Sequence, residues 1–247
     1  MGFNIAEKSI IGNREDQQDG YYSCITENIA FAVVCDGMGG SSGGGAASMI
    51  AVNRLKKLYE AKNTNETIPS FFLKAIDILD ESIVGLQKES LETRGAGTTI
   101  VAAAILQNNL YWLSVGDSRL YILRGNEIVQ VTRDHNFALS LEQLTNTERQ
   151  DFLQSQRMHR ADALISFIGI GGVKIYDIND TAFPLQPDDK ILLTTDGLTK
   201  ALTDEEILSI LQDKPLQESI ETLFYTATKK TTGSQDNTTC VLIQIQK

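Results

Sequence analysis

TTIVAAAILQNNLYWLSVGDSRLYILRGNEIVQV, residues 98–131, carries the reading on which the fold turns. Apolar runs at 98–106, 110–115, 120–124 and 127–131 are of strand length and are separated by turn-forming residues. Asn108 with Asn109, and Gly125 with Asn126, suit two-residue hairpin connections. Hairpins make neighbouring strands antiparallel, because a parallel partner needs a crossover of about a dozen residues or more.

Upstream, strand-like segments lie at 3–10, 20–25 and 29–35. A helix is predicted over 44–60, with Ile50, Leu55 and Leu58 near one face. The next helix is more sharply periodic, with Phe72, Ile76, Leu79, Ile83 and Leu86 spaced by four, three, four and three, and Pro69 suits its first turn. Downstream, 136–168 is less regular and carries one short helix at 144–153. Strands are expected at 173–183 and 190–195. Thr203-Asp-Glu-Glu206 reads as a capping box opening a helix through residue 211. Leu216, Ile220, Leu223, Phe224 and Ala227 mark another helix before a last strand at 239–245. Helices in pairs between groups of hairpin-linked strands do not suit a parallel βαβ sheet. They suit an α+β layered sandwich, antiparallel sheets with helices on the outer faces. No linker or internal repeat divides residues 1–247, so one domain is expected.

Composition bounds the function classes. The chain has 247 residues, 42% hydrophobic and 22% charged, which suits an ordinary soluble globular protein. A formal charge of -10 argues against a nucleic-acid partner, for which a basic stripe is expected. No apolar stretch reaches the roughly 20 residues of a membrane span, and the N-terminal segment has no signal-peptide run. Ala6 stands where a myristoylation motif needs Ser or Thr. No membrane association is expected. Cys24, Cys35 and Cys240 read as buried thiols in a reducing cytoplasm. None begins a Cys-x5-Arg loop, since Ala30, Ser41 and Gln246 stand six places on, so a thiol-nucleophile phosphatase is not expected.

Chemistry gathers on aspartates beside glycine or at the ends of apolar runs: Asp19, Asp36, Asp117, Asp196 and Asp236. Asp36, Asp117 and Asp196 follow the strand-like runs 29–35, 110–115 and 190–195. Brought together, carboxylates repel by roughly 3 kcal/mol per pair at about 5 Å and an effective dielectric near 20. A hard divalent cation with oxygen ligands relieves that repulsion, so a metal hydrolase is the expectation.

Asp36-Gly-Met-Gly-Gly, Gly95-Ala-Gly-Thr-Thr, Gly116-Asp-Ser-Arg, Thr195-Asp-Gly-Leu and Asp236-Asn-Thr-Thr occur in this order. The ordered set resembles the metal-dependent protein phosphatases of the type 2C class, especially compact bacterial members. The resemblance implies a four-layer α-β-β-α sandwich with two mostly antiparallel sheets. It also implies serine/threonine phosphatase activity with two Mn²⁺ or Mg²⁺ ions and a weaker third. Asp36 would bridge the pair, with the Gly37 carbonyl beside it. Asp196 and Asp236 would bind the first ion, and Asp19 would act through metal-bound water. Asp117 would share the third ion with Asp196, and Arg14, five residues before Asp19, would contact the phosphate. A hydroxide bridging the metals would attack phosphorus with no catalytic side chain and no phosphoenzyme. The implied partners are phosphoproteins, commonly those of a Ser/Thr kinase, and a monomer is expected.

Some positions depart from the family pattern. Gln18 stands where many relatives have Glu, and Met38 where eukaryotic members carry a His. His135 matches a motif read as structural. His159 is followed by Arg160 where relatives continue with Pro, inside the flap segment 136–168 that also holds Arg149 and Arg157. The charges there read more readily as a solvated helix face than as phosphopeptide contacts. Two other readings exist. Gly40-Ser-Ser42-Gly-Gly44 literally matches a serine-hydrolase elbow, but the expected sheet is antiparallel and neither histidine lies near the C-terminus. A pseudophosphatase would have lost a metal aspartate, and none is lost.

Overall fold

The computed structural model describes residues 2–40, 43–142, 162–212 and 214–246. The helix expected at 144–153 lies outside them, as do Ser41, Ser42, Arg149, Arg157, His159 and Arg160. Strands β1 (Phe3–Ile10), β2 (Asp19–Ile25) and β3 (Ile29–Met38) precede helices α1 (Gly43–Glu60) and α2 (Ile68–Leu86). Then come β4 (Gly97–Thr98), β5 (Ile100–Leu106), β6 (Asn109–Val115), β7 (Arg119–Arg124), β8 (Glu127–Gln130) and α3 (Phe137–Glu142). The short β9 (Asp177–Ile178) and β10 (Phe183–Pro184) lead to β11 (Lys190–Thr194). Helices α4 (Asp196–Thr199), α5 (Asp204–Leu211) and α6 (Leu216–Lys230) and strand β12 (Thr238–Ile245) complete the order.

One sheet runs β1-β12-β11-β7-β8 and the other β10-β6-β5-β3-β2, with β4 on β3 and β9 on β6. All described pairings are antiparallel. Alternation along the strands decides the layers. Ala30, Ala32 and Val34 of β3 and Val101, Ala103 and Ile105 of β5 face inward. There they meet Leu120, Ile122, Ile191, Leu193, Val241 and Ile243 of the other sheet. Their neighbours Phe31, Val33, Cys35, Ile100, Ala102 and Ala104 face α1 and α2. On the opposite flank Tyr121, Leu192, Cys240 and Leu242 meet α4, α5 and α6. The result is α-β-β-α, as expected.

Local signals behave as their chemistry predicts. Thr67 caps α2 by accepting from the Ser70 amide, Pro69 sits in the first turn, and the Phe72–Leu86 stripe is buried. Thr203 and Glu206 form the reciprocal capping box of α5. On α1, Ala47, Ala51 and Leu55 are fully buried while Ile50 and Leu58 flank the cluster.

Three local expectations need correction. Leu106 pairs with Asn109, so the turn residues are Gln107 and Asn108, with Gln107 at a φ of 58°. The 98–106 run keeps one register against β3, but its ladder is interrupted at Thr99. There the Asp36 amide donates to the Thr99 hydroxyl instead of the backbone carbonyl, at 2.9 Å. The expected strand 173–183 shrinks to β9 and β10. Its upstream backbone instead wraps the Asp80 carboxylate of α2, which accepts from the amides of Gly169 and Gly172 at 2.7 and 2.6 Å. Between β9 and β10 the Asn179 side chain takes over a ladder position, accepting from the Trp112 amide at 2.7 Å.

Leu193 is fully buried between the sheets. Leu193→Ala should lower the unfolding free energy by about 2–5 kcal/mol through lost transfer energy and a residual cavity. Urea melts of the metal-free protein, wild type against variant, measure it; a loss below 1 kcal/mol would mean the sheets repack freely.

Candidate metal centre

Both ends of the chain meet at one edge of the sandwich. Asp19 opens β2 directly opposite Asp36 in β3. The Asp36 carbonyl accepts from the Thr99 amide and the Thr98 hydroxyl at 2.8 and 2.9 Å. The Thr99 hydroxyl also meets that of Ser118 at 2.7 Å, tying the Asp117 turn to the Asp36 strand. Gly116, at a φ of +107°, permits that approach; a Cβ there would lie 2.6 Å from the Thr99 side chain. His135, expected to be structural, accepts from the Gly116 amide through Nδ1 at 3.1 Å and donates its own amide to the Gly116 carbonyl.

Strand β11 delivers Asp196 to the first position of α4. Asp19 Oδ2 accepts from the hydroxyls of Thr195 and Thr239 at 2.9 and 2.8 Å. Asp236 precedes β12, and Asn237 beside it laces the N-terminal loop in place. Asn237 Oδ1 accepts from the Gln18 amide at 2.8 Å, while Nδ2 donates to the carbonyls of Ile11 and Asp16 at 2.8 and 3.1 Å. Gln18 Nε2 donates to the Gly40 carbonyl at 2.8 Å, a bond that Glu could not make. Gly37 passes so close to α1 that a Cβ would lie 2.1 Å from the Gly44 carbonyl oxygen.

Arg14, Asp36, Gly37, Asp117, Asp196 and Asp236 line an open cleft of about 770 Å³. Met38 is in the same wall. Asp19 is not: it lies buried behind Asp36. Arg14 is exposed, and its Nη2 donates to Asp236 Oδ2 at 2.7 Å. Lys200, one turn after Asp196, touches Asp196 Oδ2 and stands 3.9 Å from Asp236 Oδ2.

Electrostatics mark the cluster as unbalanced. Burial pushes Asp19 up to about 7 against its two threonine donors, and the charges of Asp196 and Asp236 add to the rise. Burial, then the charges of Asp19, Asp196, Asp117 and Asp236, hold Asp36 well above the ordinary carboxylate range. Asp117 rises to about 7 from burial and the nearby Asp196 and Asp134, with Lys200 pulling the other way. Asp19 Oδ1 and Asp196 Oδ1 are buried with no hydrogen-bond partner. A buried carboxylate oxygen without a donor is costly, and a divalent cation supplies what is missing. The carboxylates that gather on the cleft are hard oxygen donors, which fits Mg²⁺ or Mn²⁺. Among the described residues no three His, Cys, Asp or Glu side chains are grouped closely enough to hold an ion as they stand. Cys35 and Cys240 are buried and poor nucleophiles, the first raised well up by burial and the second to about 12.

A model of the protein phosphatase 2C family matches residues 7–237. The chain belongs to that family. It is therefore a metal-dependent phosphoprotein phosphatase, hydrolysing phosphoserine and phosphothreonine with Mn²⁺ or Mg²⁺. The phosphatase is 30% identical over 221 residues to the serine/threonine phosphatase stp of Listeria monocytogenes, covering 88% of this chain and 85% of that one. Among solved structures it is similar to the S. agalactiae serine/threonine phosphatase, with a TM-score of 0.84, 28% identity and coverage of 99% and 100% of the two chains. It is also similar to the catalytic domain of the phosphatase PstP in complex with two manganese ions, with a TM-score of 0.78, 25% identity and coverage of 100% and 99%.

Reading the sequence alone missed Lys200, Asn237 and the threonines that orient Asp19 and Asp36. Lys200 had a signal, since a Lys four residues after an Asp on a helix faces it. The threonines and Asn237 stand within the ordered motifs, but their bonding roles were not legible there, because the threonines' partners are about 60 to 220 residues away in sequence.

Raised carboxylates fix a sign. Unfolded, these aspartates titrate near the ordinary value of 3.8; folded, Asp19 and Asp117 titrate at about 7. Their contribution to stability is present below the lower value and is lost as pH rises through the higher one. Metal-free protein in chelator should therefore melt lower at pH 7.5 than at pH 5, and Mn²⁺ should raise the melting temperature more at pH 7.5. A chelated melting temperature that climbs across this range would contradict the strain assigned to the cluster.

Proposed function

We propose that Asp36, with the Gly37 carbonyl beside it, would hold a pair of divalent ions, that Asp196 and Asp236 would complete the first, and that Asp19 would act through water. The observation carrying this reading is the set of carboxylates on one cleft with buried oxygens that lack any donor. When bound, such a pair lowers the pKa of its water towards neutrality and neutralises the phosphoryl oxygens. The chain's own residues do the rest. Arg14 projects from the cleft wall with its guanidinium exposed, suited to a forked grip on phosphate that Lys cannot copy. Bonds from Thr195 and Thr239 hold the Asp19 carboxylate, while Thr99 and Asn237 accept from the backbone amides of Asp36 and Gln18 and so fix the chain that carries the site before substrate arrives. No cysteine is among the residues lining the cleft, which argues against a cysteinyl-phosphate intermediate.

The substrates in this reading are the products of a Ser/Thr kinase, met in the cytoplasm by a monomer. Among the described residues no helix is long and apolar enough to cross a membrane. In this reading residues 1–247 act as one domain; of the flap segment 136–168, residues 143–161 lie outside the described residues.

Purified protein assayed on p-nitrophenyl phosphate and a phosphothreonine peptide tests the ligand set. Activity should require Mn²⁺ or Mg²⁺ and vanish with EDTA, and Asp36→Asn should lower kcat by orders of magnitude. Arg14→Ala should mainly raise KM, having removed binding common to ground and transition states. Full turnover in chelator would overturn the metal centre, and an Arg14→Ala effect confined to kcat would overturn the phosphate grip.

A further inference from the structure

The two oxygens of Asp196 face different surroundings. Oδ1 is buried without a partner, whereas Oδ2 touches the ammonium of Lys200, one helical turn further on. The same Nζ stands 3.9 Å from Asp236 Oδ2 and belongs to the cleft wall with Asp117. Asp196, Asp236 and Asp117 are the carboxylates whose charge reaches Lys200, and their attraction outweighs the cost of its partial burial. Lys200 therefore has its counter-ions inside the site rather than on the outer surface. A divalent ion held between Asp117 and Asp196 would need the Asp196 oxygen that Lys200 already occupies. It would also sit against a tethered positive charge that cannot diffuse away.

We propose that the Lys200 ammonium takes the place of a third metal ion, leaving Asp196 Oδ1 for the paired centre, so that the loaded protein holds two divalent ions. The inference rests on the ligand reading above and adds a positioning residue to it. Two divalent ions, with Arg14 and Lys200, already supply six positive charges against the five carboxylates of Asp19, Asp36, Asp117, Asp196 and Asp236, so a third ion would only enlarge a positive excess. A lysine supplies one unit of charge at a fixed place whatever the metal concentration, where a weakly held ion supplies it only when abundant.

Counting bound Mn²⁺ on the full chain tests this directly, by titrating metal-free protein and following free Mn²⁺ by electron paramagnetic resonance. Wild type should saturate at two ions. Lys200→Gln should gain a third, weaker one, which the added Asp117→Asn change removes, and Lys200→Arg should stay at two because it keeps the charge. The Lys200 side chain is 58% exposed, so the variants should fold, and a melting curve for each checks this. Three ions on wild type, or two on folded Lys200→Gln, would overturn the role of Lys200 while leaving the paired centre standing. No bound Mn²⁺ on wild type would overturn the paired centre as well.

Discussion

Repulsion among Asp19, Asp36, Asp117, Asp196 and Asp236 is the constraint around which this molecule is arranged. The charges reach one another at the edge of the sandwich, where burial removes the water that would screen them. Without metal the fold must hold these groups together against their own field. Part of the answer is protonation, visible in the upward shifts of Asp19, Asp36 and Asp117. Another part is internal cation, supplied by Arg14 on Asp236 and by Lys200 on Asp196. Divalent metal completes the balance and makes that strain useful, because a site built to be short of positive charge binds cation and phosphoryl centre together.

The rigidity needed to hold such a site comes from the two sheets. Each is covered on its outer face by helices and on its inner face by the other sheet, so β3, β5, β11 and β12 are buried on both sides. Carboxylates at the ends of these strands inherit that rigidity. Asp19 and Asp36 come from one sheet, Asp196 and Asp236 from the end of the other, and the cleft lies where the sheets part. Bonds from Asn237 to the N-terminal loop and from Thr195 and Thr239 to Asp19 join the two sheets there. A substitution in these polar residues would disturb the site without touching an ion or substrate.

Departures from the expected strands are informative for the same reason. The ladder breaks at Thr99 because its hydroxyl takes the Asp36 amide, and the same hydroxyl then reaches Ser118 beside Asp117. The run at 173–183 looked like a strand from its apolar residues. Upstream of it, however, Asp80 of α2 offers acceptors to the loop amides, and Asn179 offers a side chain where backbone was expected. In both places a polar side chain from elsewhere displaces a regular backbone bond.

Periodicity, turn residues and capping patterns depend on neighbours a few positions away, so the chain alone determined the four longer helices α1, α2, α5 and α6, the antiparallel architecture and the five aspartates. It also contained the ordered motifs that identify the family. Only the tertiary structure decided which oxygen of each aspartate is satisfied, that Asp19 stands behind the cleft wall, and that Lys200 faces inward. Those outcomes rest on contacts between residues far apart in sequence, such as Asp19 with Thr239 and Gln18 with Asn237. Local sequence has no means of encoding such contacts until two sheets have packed and brought the ends of the chain together.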